Sequence, residues 1–210
     1  RQSINKSDII EVNKVLKSSF LTQGPKNKIF CDKISKYTNS KYSLVLNSAS
    51  SALQIACLAM NLSKKDILWT SANTFVSSAT AGTHCGAKID FIDIDPKTGN
   101  LSIENLESKL KFAKNKKSLP KILMVVHFAG IPCDMKKIKK LSNKYKFRII
   151  EDASHALGSK YFGDNIGSCK YSDACIFSFH PIKSITTFEG GAITTNSKKI
   201  YHKSKLLSDH

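Results

Sequence analysis

Short apolar runs alternate along the chain with segments whose apolar residues recur every three or four positions. The runs ILMVV (122–126) and CIFSF (175–179) are almost wholly apolar, which is typical of strands covered on both faces. Segment 134–146 has helical spacing instead. The pattern predicts strands at 42–46, 67–70, 88–94, 121–126, 147–151, 174–179 and 192–195, and helices at 7–18, 26–37, 50–61, 74–85, 102–111, 134–146 and 198–207.

This alternation predicts an α/β fold in which a mostly parallel sheet is joined by right-handed crossovers. We expect a single domain over residues 1–210, with Ser7, Asn73, Ser102 and Asp134 as helix N-caps. Ligands of such sheets gather at the carboxyl ends of the strands. Polar segments follow the predicted strands there, at 47–51, 73–75, 127–130, 151–155 and 178–183.

Composition excludes several classes of protein. Hydrophobic residues make up 41% of the chain, enough for a core and too many for a disordered protein. The longest apolar stretch (44–62) is interrupted by polar residues, and the first residues are polar, so we expect neither a membrane span nor a signal peptide. The six cysteines form no CxxC pair, which favours reduced thiols in a cytoplasmic protein over a zinc or disulfide site.

The net charge of +17 raises the question of nucleic-acid binding. Only two of the 33 basic residues are arginines, Arg1 and Arg148, whereas proteins that grip phosphates or read bases favour the bidentate Arg fork. Many lysines surround the apolar stripe of segment 134–146, as on a solvated helix face. We therefore expect no nucleic-acid partner, although the charge would help attract an anionic small molecule.

The first polar segment, NSASSAL (47–53), runs directly into a helix. Backbone N–H groups and serine hydroxyls at a helix N-terminus favour binding of an anion such as phosphate. Plain N-capping by Ser48 or Ser50 explains the same residues. The segment by itself leaves both interpretations open.

Two further segments carry ionisable groups. Asp152, in IIEDASHALG, ends the fifth strand and is suited to hold a metal, act as a base or pair with a cationic ring nitrogen, and His155 lies three residues on. A metal is the weakest of these options because no third ligand has a recognisable spacing. Lys183, in HPIKSITTFEGG, follows the sixth strand, where partial burial would lower its pKa as Schiff-base chemistry requires. A structural aspartate and an exposed lysine remain the alternatives.

Taken together, the three segments indicate a pyridoxal phosphate site. Lys183 would hold the cofactor covalently and Asp152 would keep its ring nitrogen protonated. The Ser48–Ser51 turn and Ser178 would bind the phosphate. Phe75 is placed to stack on the ring, or else belongs to the core.

Longer motifs make the resemblance specific. The chain resembles the DegT/StrS-type sugar aminotransferases, and among them those of pseudaminic acid biosynthesis. The motifs run in family order and cover nearly the whole chain: RQSI, LTQGP, NSASSAL, NTFVSSA, GAKIDFIDIDPKTGNL, VVHFAGIPCDM, IIEDASHALGSKY and IGSCKYSDACIFSFHPIKSITTFEGGAITTN.

The resemblance implies the fold type I (aspartate aminotransferase-like) large domain, pyridoxal 5′-phosphate as cofactor, and a homodimer with its active site at the interface. It implies glutamate as amino donor and a 4-keto-6-deoxy UDP-N-acetylhexosamine as acceptor. Because the family's enzymes are longer and end in a small domain, the resemblance also implies that the chain is part of a larger protein.

The resemblance assigns roles to individual residues. Lys183 is the Schiff-base lysine and general acid/base, where related sugar dehydratases have histidine. Asp152 is assigned to the ring nitrogen and His155 lies beside the ring, while Ser178 and the turn of Ser48, Ala49, Ser50 and Ser51 take the phosphate. Thr22, Gln23 and Gly24 match a loop that contacts the sugar nucleotide, and Ser51 is a further candidate for that contact. No metal is expected.

One residue departs from the family pattern. Phe188 stands where the family usually has glycine in a GEGG turn, and a bulky side chain there is strained if φ is positive.

Two alternatives to the leading function remain open. One is another 4-keto nucleotide-sugar aminotransferase, such as a perosamine synthase, and the other is a truncated, inactive PLP-fold binding module.

Overall fold

The computed structural model describes residues 2–209, so Arg1 of the RQSI motif and His210 lie outside the described residues. Between these limits the chain alternates helices and strands in the order that the sequence predicts. The helices are α1 (Lys6–Leu16), α2 (Pro25–Thr38), α3 (Ala49–Ala59), α4 (Ser77–His84), α5 (Ile103–Asn115), α6 (Met135–Tyr145) and α7 (Lys198–Ser208). The strands are β1 (Tyr42–Leu46), β2 (Ile67–Ser71), β3 (Lys88–Ile92), β4 (Ile122–Val126), β5 (Arg148–Asp152), β6 (Lys160–Tyr161), β7 (Asp164–Asn165), β8 (Ala174–Ser178) and β9 (Gly191–Thr195).

Seven strands form one sheet in the order β1-β9-β8-β5-β4-β2-β3. The neighbours from β8 to β3 pair in parallel, and β9 pairs antiparallel with both β8 and β1. Because β9 is reversed between them, β1 points the same way as β8. The carboxyl ends of six strands therefore meet at one edge, where Gly191 at the start of β9 lies opposite both Leu46 and Ser178. The predicted mostly parallel sheet is confirmed.

Both faces of the sheet are covered, which explains the continuous apolar runs. In β4, Ile122 and Met124 pack with α3, α4 and α7, while Leu123 and Val125 face α5 and α6. This alternation follows from the two-residue repeat of a strand. A third apolar cluster, which includes Ile34 of α2, packs around the far side of β8.

Two of the four expected N-caps are confirmed. Ser102 accepts from the N–H of Asn105, and Asp134 accepts from that of Lys137. Ser7 is not a cap, because Asn5 accepts the N–H groups of Ser7 and Asp8 and closes a capping box.

The fourth expected cap, Asn73, is also wrong. Helix α4 begins only at Ser77, and the Asn73 amide donates to the Gly99 carbonyl instead. Its polar side chain therefore fastens a loop rather than a helix end.

The small β6–β7 hairpin lies outside the predicted elements, because two-residue strands are too short to show a periodic pattern. Among residues 2–209, all six cysteines are free thiols. Within the same range, every helix is too short or too polar to cross a bilayer.

Candidate active site

A cavity of about 530 Å³ opens at the carboxyl edge of the sheet. Its walls come from the segments that follow β1, β2, β4, β5 and β8, as the strand-end rule predicts. Eight of the twelve candidate residues line it: Ser48, Ala49, Ser50, Phe75, Asp152, His155, Ser178 and Lys183.

Asp152 is the buried carboxylate of this cavity, with only 5% of its surface exposed. Its Oδ1 accepts hydrogen bonds from the backbone N–H of Ser154 at 3.1 Å and from the Ser154 hydroxyl at 2.7 Å. Its Oδ2 accepts one from the Ser78 hydroxyl at 2.5 Å. Donors on both oxygens offset the cost of burying this charge, so the carboxylate is held in a fixed orientation.

Lys183 lies half-buried on the loop after β8, in the same cavity as Asp152. Burial lowers the pKa of the Lys183 ammonium, and the negative charge of Asp152 partly offsets this effect. Burial and the nearby positive charge of Lys183 lower the pKa of His155, while Asp152 acts to raise it. A lysine with a lowered pKa supplies the neutral amine that attacks a carbonyl carbon.

The N-terminus of α3 forms another part of the cavity wall. Ser48 is the N-cap, and its Oγ accepts from the backbone N–H of Ser51 at 3.1 Å. The N–H groups in the first turn of a helix lack carbonyl partners, so those of Ala49 and Ser50 are suited to an anion. The capping and anion-binding interpretations are therefore compatible, because they use different N–H groups.

A close backbone approach fixes the position of this helix end. A Cβ atom at Gly191 would lie 2.4 Å from the carbonyl carbon and oxygen of Ser48 and 2.5 Å from the backbone nitrogen of Ala49. Only glycine at the start of β9 therefore lets α3 begin this close to the sheet. Ser178, which pairs with Gly191 across the strands, lines the same cavity.

Phe75 belongs to the cavity wall rather than to the core. Its side chain is 71% exposed, which excludes the core alternative. An exposed aromatic face beside a buried carboxylate is suited to stack on a planar cationic ring.

The comparison with known families matches this geometry. A model of the DegT/DnrJ/EryC1/StrS aminotransferase family matches residues 2–210. The chain belongs to this family. The family membership that the motifs predict is therefore confirmed. Pyridoxal phosphate is the cofactor of family members such as a putative sugar aminotransferase from Streptococcus pneumoniae, which has been solved in its PLP and PMP forms.

Individual DegT/DnrJ/EryC1/StrS relatives are similar over the whole chain. A UDP-4-amino-4,6-dideoxy-N-acetyl-β-L-altrosamine transaminase of Campylobacter jejuni is 44% identical over 209 residues, which cover 100% of this chain and 54% of the relative. PseC of Helicobacter pylori, an aminotransferase involved in pseudoaminic acid biosynthesis, is 33% identical with a TM-score of 0.88, covering 99% of this chain and 54% of PseC. The PLP form of the S. pneumoniae protein has a TM-score of 0.87 at 30% identity, covering 98% and 56%.

These likenesses confirm the expected fold type I architecture. The chain spans about half the length of the curated relatives it matches.

Four candidate residues do not line the cavity that holds Lys183. Thr22, Gln23, Gly24 and Ser51 line a second concavity of about 770 Å³, together with Lys205 and other residues at the end of α7. Their assignment to the sugar nucleotide stays a prediction, because they do not line the cavity that holds Lys183.

Several residues in or behind the cavity wall were missed by sequence reasoning, although they lie in or near the same post-strand segments. Ser78 and Ser154 hold Asp152, and Thr74 donates to Ser78 at 2.7 Å. Their signal was the cluster of small hydroxyl residues in NTFVSSA and EDASH. The other lining residues are Leu53, Asn73, Ser77, Val126, His127, Phe128, His180, Ile182, Glu189 and Gly190.

His127 forms the buried floor of the cavity. Its Nδ1 accepts the backbone N–H of Cys133 at 3.2 Å, so the ring proton lies on Nε2 and is donated to the Glu151 carboxylate at 2.8 Å. The hydroxyl of Ser172 donates to the other oxygen of Glu151. The hydrogen bond between His127 and Glu151 joins the end of β4 to β5 directly beside Asp152.

Phe188 has φ +65°, in the left-handed region, and its side chain is 63% exposed. The condition for strain at this family glycine position, a positive φ, is therefore met. Its backbone N–H donates to the Thr186 hydroxyl at 2.9 Å, which holds the turn after Lys183 in place despite the strain.

We predict that Phe188→Gly gives a more stable protein than Phe188→Ala, by about 1 kcal/mol in the free energy of unfolding. Both variants remove the exposed ring, but only glycine removes the Cβ that is strained at positive φ. Denaturant unfolding of the two variants measures the difference. Equal stability of the two would contradict the strain at this position.

Proposed function

We propose that the protein is a pyridoxal phosphate-dependent aminotransferase that moves an amino group from glutamate to C4 of a 4-keto-6-deoxy UDP-N-acetylhexosamine. The observation that carries the proposal is a single cavity holding a lysine of lowered pKa, a buried carboxylate and a helix N-terminus. The choice of sugar rests on the names of the Campylobacter and Helicobacter relatives.

The residues present fit the cofactor. Pyridoxal phosphate carries an anionic phosphate, a ring nitrogen that gains a proton, and an aldehyde that a lysine amine attacks. The cavity offers a partner for each: the N-terminus of α3 with Ser178, the carboxylate of Asp152, and Lys183. Its volume of about 530 Å³ lies within the range of small-molecule sites, about 300–1,000 Å³.

When bound, the cofactor supplies an electron-withdrawing ring that stabilises negative charge on the substrate carbon. Asp152 holds the proton of the ring nitrogen in place, which keeps the ring cationic. Lys183 would hold the cofactor, and its Nζ would take the proton from Cα of the amino donor. A lowered pKa suits this role, because the amine accepts that proton only in its neutral form.

The remaining residues orient the reacting groups. Ala49, Ser50 and Ser178 bind the phosphate and so fix one end of the ring. Phe75 covers one ring face and excludes water from it. His155 lies beside the ring, and its lowered pKa keeps the imidazole neutral near Lys183.

The proposal extends to the whole protein. We take residues 1–210 as an incomplete PLP-binding large domain, and the assembly as a homodimer in the cytoplasm whose partner completes the active site. The nucleotide-sugar contacts of Thr22, Gln23, Gly24 and Ser51 belong to this part of the proposal. These features rest on the family resemblance.

The two alternatives predict different behaviour. Another 4-keto nucleotide-sugar aminotransferase would attach the cofactor in the same way but prefer another acceptor. An inactive binding module would lack covalent attachment at Lys183 or transfer no amine.

We predict that borohydride reduction after incubation with pyridoxal phosphate labels Lys183 selectively, and that Lys183→Ala abolishes this label. The physical reason is the lowered pKa of Lys183, because it increases the fraction of neutral amine at this lysine beside the phosphate site. Intact mass and peptide mapping at near-neutral pH identify the labelled residue.

Lys28 serves as the internal control, because its ion pair with Asp32 raises its pKa. It should stay unlabelled at the pH at which Lys183 reacts. Labelling spread evenly over surface lysines, in the full protein, would contradict the proposed cofactor site.

We predict that the pyridoxamine phosphate form aminates a 4-keto-6-deoxy UDP-N-acetylhexosamine faster than 4-keto sugars with another nucleotide or without the N-acetyl group. Single-turnover kinetics over such a panel measure the preference as kcat/KM. A preference for a different nucleotide would favour the first alternative. No transfer to any acceptor would favour the second.

A further inference from the structure

Ser78, on the first turn of α4, contributes a hydroxyl to the cavity's carboxylate from 74 residues away in sequence. We infer that Ser78 is a positioning residue, which aims Asp152 at the cofactor's ring nitrogen and keeps the shared proton on that nitrogen. This inference rests on the proposed function and extends it to a residue that touches neither cofactor nor substrate.

The hydrogen bonds of Asp152 leave one acceptor position on Oδ2. A carboxylate oxygen has two lone-pair positions, and Oδ1 already accepts both the N–H and the hydroxyl of Ser154. Among residues 2–209, the Ser78 hydroxyl is the only donor to Oδ2. The second position on Oδ2 is therefore the one that remains for a ring N–H, and Ser78 determines its direction.

The direction of the Ser78 hydroxyl is itself fixed. Its oxygen accepts from the Thr74 hydroxyl at 2.7 Å, so its own proton is committed to Asp152. Ser78 is completely buried, so solvent does not compete for its hydroxyl. Thr74, Ser78 and Asp152 thus form a hydrogen-bonded chain. The Thr74 hydroxyl donates to Ser78, and the Ser78 hydroxyl donates to Asp152.

The neighbouring serine extends the argument to the phosphate end. Ser77 and Ser50 share a hydrogen bond at 2.7 Å, which joins α4 to the first turn of α3. One turn of α4 thereby contacts both the carboxylate expected at the ring nitrogen and the helix end expected at the phosphate.

The chemical consequence concerns the position of a proton. Hydrogen-bond donors stabilise negative charge on a carboxylate, so removal of the Ser78 donor makes Oδ2 a stronger base. The proton shared between Oδ2 and the ring nitrogen then moves towards Oδ2, and the ring loses part of its positive charge.

The test is ¹⁵N NMR of the full protein loaded with pyridoxal phosphate that is ¹⁵N-labelled at the ring nitrogen, because the chemical shift reports protonation directly. In Ser78→Ala we expect the proton distribution to shift about tenfold towards Oδ2, as expected for loss of one charge-assisted hydrogen bond. Ser78→Thr, which keeps the hydroxyl, should restore the wild-type shift.

Two further variants separate this effect from a structural one. Ser204→Ala removes another fully buried serine hydroxyl, one without a hydrogen-bond partner among residues 2–209, and should leave the ¹⁵N shift unchanged. Thr74→Val removes the donor behind Ser78 at nearly constant volume and should give a smaller shift in the same direction. It tests the inference even if Ser78→Ala does not fold.

A wild-type ¹⁵N shift in both Ser78→Ala and Thr74→Val would overturn the inference while leaving the proposed function intact. A wild-type protein that does not attach the cofactor at Lys183 would overturn the proposed function itself. The two failures are therefore distinguishable.

Discussion

The buried carboxylate of Asp152 is the constraint on which the rest of the site depends. A charge with 5% exposure is costly unless donors surround it, and here they come from the loop after β5 and from α4. Those donors bring NTFVSSA and EDASH together, although more than 70 residues separate Ser78 from Asp152. The same charge acts on Lys183 and His155, so it couples the electrostatics of all three groups.

The sheet makes this arrangement possible. Reversal of β9 alone places the carboxyl ends of the other six strands at one edge, with the start of β9 among them. Gly191 then admits the N-terminus of α3 against the strand, where a Cβ would collide with the backbone of Ser48. A helix N-terminus that suits an anion and a carboxylate that suits a cationic ring nitrogen thus line the same cavity.

Much of this arrangement is visible in the sequence, because apolar runs such as ILMVV require cover on both faces and strand ends carry the polar segments. Other features leave no local pattern. The hydroxyl of Ser78 is one of several serines until the fold brings it to Asp152, and the two-residue strands beside Phe162 have no periodicity. The position of Thr22 in a separate concavity depends on how α2 and α7 pack, which motif spacing does not encode.

The central claim is that one ligand joins Asp152 to the N-terminus of α3. A crystal structure of the full protein with pyridoxal phosphate tests it most directly. We predict the ring nitrogen about 2.7–2.9 Å from Asp152 Oδ2, as in a charge-assisted hydrogen bond, and the phosphate on the N–H groups of Ala49 and Ser50. A phosphate bound elsewhere, or a ring nitrogen that does not contact Asp152, would contradict the account.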